Sequence, residues 1–115
     1  MLKKGETIET EKLVGFNGGN GEVYLTKFVK SEDIDGKGRF WAYCRLPAHC
    51  SLGYHKHEGE FETYYFLKGT GVGNDNGTLK PVGPGDVLIC KDGCSHGLEN
   101  TGDEDLEYIA VILNS

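Results

Sequence analysis

Glycine punctuation is the feature that most constrains how this chain can fold. Eighteen glycines are spread through 115 residues. Many sit in clusters such as Gly18-Gly19-Asn20-Gly21, Asp35-Gly36-Lys37-Gly38, Asp75-Asn76-Gly77, Pro84-Gly85-Asp86 and Asp92-Gly93. Glycine reaches positive φ without a steric penalty, so each cluster reads as a tight turn. The segments between them are short and rich in β-branched and aromatic residues. Strands are predicted over 22–29, 39–46, 60–67, 86–90 and 106–113. In the second of these, Phe40, Ala42, Cys44 and Leu46 alternate with Trp41, Tyr43 and Arg45, the period of two expected of a half-buried strand. No helical stripe is sustained anywhere. Short strands at regular spacing predict an all-β sandwich or barrel.

The length suits one domain, 1–115, with no linker and no repeat. Residues 1–20 read as an N-terminal arm whose portion 6–14 suits an extended segment as much as a helix and could be exchanged or paired in a dimer. Residues 30–38 form the most polar loop. The formal net charge of −6 disfavours DNA, RNA and acidic membranes, which are bound through clustered Lys and Arg. No apolar run is long enough to cross a bilayer, and the charged N-terminus lacks a signal-peptide core; the expected location is the cytoplasm. Cys44, Cys50, Cys90 and Cys94 form no Cys-x-x-Cys pair and are expected to stay reduced.

Four residues stand out chemically. His55 and His57, two apart, would project from one strand face as a pair of imidazoles, with Tyr54 and Lys56 on the other. A turn at Glu58-Gly59-Glu60 would bring Glu62 back across from them, and His96 would join from a distant strand. Three imidazoles and a carboxylate suit a first-row transition metal and leave positions for water or substrate. Singly, each residue is unremarkable: a His in a strand is usually hydrogen-bonded or exposed, and a lone Glu is usually solvated. Cys90-x3-Cys94-x-His96 lacks a fourth ligand for a zinc cluster.

The spacing of these residues resembles the two motifs of the cupin family. The first, Gly-x5-His-x-His-x3,4-Glu-x6-Gly, is matched by His55-x-His57-x4-Glu62-x6-Gly69. The second, Gly-x5-Pro-x-Gly-x2-His-x3-Asn, is matched by Gly85-x5-Lys91-x-Gly93-x2-His96-x3-Asn100. The likeness runs directly from His49 to Asn100. It implies a double-stranded β-helix (jelly-roll barrel) and a metal held by His55, His57, Glu62 and His96. It also implies turns at Gly69, Gly85, Gly93 and Asn100. Two positions depart from the pattern: His49 stands for the first Gly and Lys91 for the Pro. His49 can hold a positive φ; a role as a fifth ligand is a weaker alternative.

Strand parity from Glu62 and His96 selects Tyr64, Phe66, Cys94 and Leu98 as pocket-lining candidates. Glu58 and Glu60 read as a solvated turn, with a proton-shuttle role as the alternative. The resemblance implies one divalent transition metal (Mn, Fe, Ni, Zn, Co or Cu), a small-molecule ligand and a homodimer. The leading expectation is a metal-dependent enzyme on a small polar substrate, a sugar, sugar acid or organic acid, acting by Lewis-acid chelation. Isomerase, lyase and dioxygenase chemistries all suit such a site. A binding or sensing module without turnover is the alternative, and a barrel with vestigial ligands a third.

Overall fold

A computed structural model describes all 115 residues as ten antiparallel strands in two facing sheets. In chain order these are β1 (Thr10–Val14), β2 (Glu22–Lys30), β3 (Gly38–Leu46), β4 (Ser51–Lys56), β5 (Glu60–Lys68), β6 (Gly71–Asp75), β7 (Thr78–Val82), β8 (Val87–Cys90), β9 (Ser95–Glu99) and β10 (Leu106–Asn114). The larger sheet has the order β1-β2-β3-β10-β5-β8 and the smaller β4-β9-β6-β7. Non-consecutive neighbours in both sheets carry the chain back and forth between layers, which is the jelly-roll arrangement expected from the sequence.

The alternating strands place their apolar residues between the sheets. In β3 and β10 every second residue is buried, Ala42, Cys44 and Leu46 from one, Leu106, Tyr108, Ala110 and Ile112 from the other. Phe66, Leu52 and Leu98 join them in one core cluster. The opposite face of the large sheet also carries apolar residues. Trp41, Val111, Thr63 and Ile89 are register partners across four strands, and Tyr43, Ile109, Tyr65 and Val87 form the adjacent row. Trp41, Tyr65, Val87 and Ile89 are exposed there.

The five expected strands are all present, with boundaries within one residue of those predicted. Of the other five, β4, β6, β7 and β9 lie in stretches of weak strand propensity. Gly71 and Gly73 alternate along β6, and a Cβ on Gly71 would come within 2.5 Å of the Glu99 carbonyl oxygen. Here the backbones approach so closely that only glycine fits, and pairing with β7 and β9 supplies the strand that composition does not. Asn76 and Gly77, both at positive φ, close the β6–β7 hairpin. The polar loop at 30–38 holds a short 3-10 turn at Ser31–Ile34.

The N-terminal arm folds back on its own chain: β1 pairs with β2 along its whole length. A 3-10 turn at Phe16–Gly18 then packs on β4. A Cβ at Gly53 would lie 1.7 Å from the Asn17 carbonyl oxygen, so this contact requires glycine. Gly69, Gly85 and Gly93 all adopt positive φ, as does His49 at 64°. The four thiols are free; Cys44 and Cys90 are buried. No helix is long and apolar enough to cross a membrane.

Asn100 ties the loops at one end of the barrel together. Fully buried, its amide donates to the carbonyls of Leu46 and Glu104 at 2.9 and 2.7 Å, and its Oδ1 accepts from the Gly102 amide at 2.9 Å. Removing the side chain strands these groups away from water. Asn100→Ala is therefore expected to destabilise the barrel by about 3 kcal/mol, read as a lowered urea midpoint with an unchanged slope.

Candidate metal centre

His55 lies near the end of β4 and is the direct register partner of His96 on β9. That pairing alone brings together two residues 41 positions apart in sequence. His57 falls just beyond β4, where backbone bonds clasp it to the second motif. Its amide donates to the Cys94 carbonyl at 3.0 Å, and the Gly93 amide donates to the His57 carbonyl at 2.7 Å. The chain then reverses through Gly59 at φ 75°, whose amide donates to Asp92 Oδ1 at 2.9 Å. Entry into β5 points Glu62 back at the histidines.

All four side chains converge. One donor atom from each of His55, His57, Glu62 and His96 lies within 4.8 Å of the others. His96 Nε2 stands 3.0 Å from His55 Nε2, 3.1 Å from His57 Nε2 and 2.9 Å from Glu62 Oε1. His57 Nε2 is 3.1 Å from Glu62 Oε1. Donors at right angles around an ion, each held at about 2.1 Å, stand about 3.0 Å apart, whereas a tetrahedron gives about 3.4 Å. The four short contacts, 2.9 to 3.1 Å, are in the range expected of neighbouring donors on one ion.

Hydrogen bonds select the nitrogen that each ring presents. His55 Nδ1 donates to the Gly53 carbonyl at 2.7 Å, and His57 Nδ1 donates to Glu60 Oε2 at 2.5 Å. Both leave Nε2 as the inward atom. His96 Nδ1 is buried with no partner. Imidazole lone pairs facing one another at 3.0 and 3.1 Å repel unless a proton or a cation lies between them. A cation shared by all four groups resolves this at once, so the cluster could hold a metal ion.

Without a cation, protons do part of that work. Burial alone would raise the Glu62 carboxyl, but hydrogen bonds from His57 and His96 outweigh it and bring its pKa to about 2. The hydrogen bond to Glu62, opposed by burial, raises the pKa of His57. Burial lowers that of His55. Tyr64 stacks on the His96 ring at 4.8 Å, its phenol pushed far up by burial and the nearby Glu62 charge.

A cavity of about 300 Å³ opens in front of His55, His57 and Glu62. Tyr64 lines it, as strand parity indicates, together with Tyr108, Phe16, Leu25 and Phe40. Phe66 and Leu98 belong to the packed core instead, and Cys94 is half-buried in the turn before β9. His49 is exposed beside Asp103, 3.4 Å away, and is remote from the four donors. Glu58 is exposed and pairs with Lys56. Glu60 departs from the solvated turn expected of it. Its carboxylate is largely covered and accepts from both His57 and Arg39, the latter at 2.8 Å. Sequence gave no sign of this, because Arg39 lies 21 residues away and opens another strand.

Comparison with known proteins shows the family. Residues 42–112 match the cupin domain family. An oxalate-binding protein from Thermotoga maritima is 44% identical over 113 residues, covering 98% of this chain and 93% of that protein. The crystal structure of a predicted oxalate decarboxylase from Thermotoga maritima superposes with a TM-score of 0.94 at 43% identity, with both chains fully covered. A polyketide cyclase from Streptomyces resistomycificus shares the fold at TM-score 0.75 and 22% identity, over 99% of this chain and 85% of its own.

Two consequences follow for metal uptake. Each imidazole must be neutral to donate, and Glu62 holds the proton on His57 more tightly than an ordinary imidazole would. Metal affinity is thus expected to fall as pH drops through the imidazole range, beginning above the usual value near 6.5. Metal titrations between pH 5 and 8 check this; a flat profile would count against the assignment. Glu60→Ala frees His57 Nδ1 and should weaken metal binding by roughly 10–100-fold, with the fold unchanged by circular dichroism.

Proposed function

This chain belongs to the cupin family, and on that premise we propose that it binds one divalent transition-metal ion through His55, His57, Glu62 and His96 and a small organic acid on that ion. The observation that carries this reading is the convergence of four donors at the end of an open cavity. The naming of a 44% identical relative for oxalate binding supports an acid as ligand. A bound divalent cation supplies Lewis acidity and accepts carboxylate oxygens. The protein's own contribution is orientation: Gly53 and Glu60 fix two of the rings, and Tyr64 backs the third. The element itself depends on cellular supply as much as on this donor set.

The side chains around the cavity favour holding the acid over converting it. Burial pushes the phenols of Tyr64 and Tyr108 well above their usual range, so they stay neutral and offer no base. Glu60 is committed to His57 and Arg39. Beyond the metal donors, the two phenols and the one carboxylate of the cavity are thus protonated or already engaged. A binding or sensing protein is therefore the first reading. Metal-dependent isomerase, lyase or dioxygenase chemistry is the second, since a chelated acid can react on a Lewis acid alone. The four free thiols suit a reducing compartment such as the cytoplasm.

We also propose a homodimer. The exposed Trp41, Tyr65, Val87 and Ile89 form part of a face continuous across four strands, an arrangement that marks interaction surfaces more often than bare solvent-facing ones. A second copy offers the same apolar face on a two-fold axis, so the contact closes on itself. Light scattering after gel filtration should give twice the chain mass for wild type and one chain mass for Ile89→Lys.

Elemental analysis of protein purified without added metal or a histidine tag tests the main reading. Near one equivalent of a transition metal is expected in wild type and almost none in His57→Ala. Saturable binding of oxalate by the loaded protein without product supports the first reading, and product formation the second. Full metal content in His57→Ala, or no uptake by wild type on titration, would sink both.

A further inference from the structure

The space in front of the metal donors has walls that a bare dicarboxylate does not use. Oxalate is two carboxylates joined by one bond and has no apolar surface. A site shaped only for it would close around it with donors. Here a cavity of about 300 Å³ continues past the donor set, and its walls include Leu13, Phe16, Val23, Leu25, Phe40 and Leu52. Ligand cavities of this size are mostly apolar with a few polar groups that fix orientation.

The polar groups of the cavity have a direction. At one end stand the metal donors with Tyr64 and Tyr108. Three cations, Lys27, Arg39 and Lys56, also line it, and all are partly exposed. Lys27 shares the inward-facing parity of Val23 and Leu25 on β2. Its ammonium lies 4.9 Å from the centre of the Phe40 ring and 3.5 Å from Glu11. Arg39 stands on the donor side, through Glu60 and His57, so the chelating end is flanked by positive charge and the apolar wall extends beyond it, which suits an anion with a greasy body.

We propose that the occupant is a chelating organic acid with an apolar side chain, in the class of 2-oxo or 2-hydroxy acids with a branched aliphatic or aromatic group. Its acid head meets the metal donors, and its body lies along Leu13, Phe16, Leu25 and Phe40. This deepens the reading given above and rests on it, since the head requires the metal.

The test uses full-length protein whose metal content has first been measured and brought to one equivalent with nickel(II). Oxalate is titrated calorimetrically, followed by pyruvate, 2-oxobutanoate and 4-methyl-2-oxopentanoate, which share one head group and differ in apolar length. Each methylene that leaves water should tighten binding about four-fold, so 4-methyl-2-oxopentanoate should exceed pyruvate by at least about ten-fold. Leu13→Trp, at a half-buried position on the edge strand, should weaken 4-methyl-2-oxopentanoate more than pyruvate and so abolish that gain. A flat or falling series, with oxalate and pyruvate still bound, overturns the proposal and leaves the metal–acid reading intact. Persistence of the full gain in Leu13→Trp overturns the placement of the body. Loaded protein that binds none of these acids, or protein that takes up no metal, overturns the proposal and the underlying reading together.

Discussion

The candidate site depends on a clasp between two distant stretches of backbone. Residues 57–59 and 92–94 are joined by amide–carbonyl bonds in both directions and by Asp92 to the Gly59 amide. Next to the clasp, His55 and His96 sit opposite each other in the β4–β9 register. Cross-strand partners stand about 5 Å apart before any side chain is chosen, so the backbone brings the two rings together. A one-residue slip in this pairing would turn one ring away from the other. The clasp and the Asn100 network both oppose such a slip, one at each end of the small sheet.

The donors meet in a place where each would be costly alone. A buried carboxylate needs compensation, and buried imidazoles need partners. Glu62 and His57 compensate one another with the help of His96, while Glu60 and Arg39 extend the charge pattern outward to solvent. The result is an alternating chain of cation, carboxylate, imidazole and carboxylate from surface to centre. Such a chain polarises its members cooperatively and gives His57 a fixed orientation that a flexible surface histidine would lack. His96, with its Nδ1 unpaired, is instead held by stacking on Tyr64 and by its strand.

Much of this was legible in the residues, for identifiable reasons. Alternation in 39–46 specified one central strand because that strand is half-buried and cannot exchange faces, and the apolar run of 106–113 marked its neighbour. The spacing of His55, His57, Glu62 and His96 specified the cluster because cupin turn lengths translate directly into geometry. Strands β6 and β9 were not legible: Gly71, Gly73 and Gly97 carry little strand propensity, and close backbone approach is visible only in three dimensions. The contact of Arg39 with Glu60 was hidden for the same reason, as it depends on which strands become neighbours. Parity identified Tyr64 as a cavity residue but not the difference between it and Phe66, because the cavity ends partway along β5.

The unequal width of the two sheets has a further consequence. Six strands face four, so β1 and β2 reach past the sheet that carries His55 and His96, and the 3-10 turn at Phe16–Gly18 covers the gap through its contact at Gly53. The four candidate donors all come from residues 55–96, whereas much of the apolar wall comes from residues 13–40. On the proposed reading, ion binding and ligand selectivity are thereby written in separate parts of the chain. Drift in the first forty residues can reshape what the barrel accepts while the ion-binding half stays untouched, which offers a route by which one stable barrel could be retuned to successive ligands.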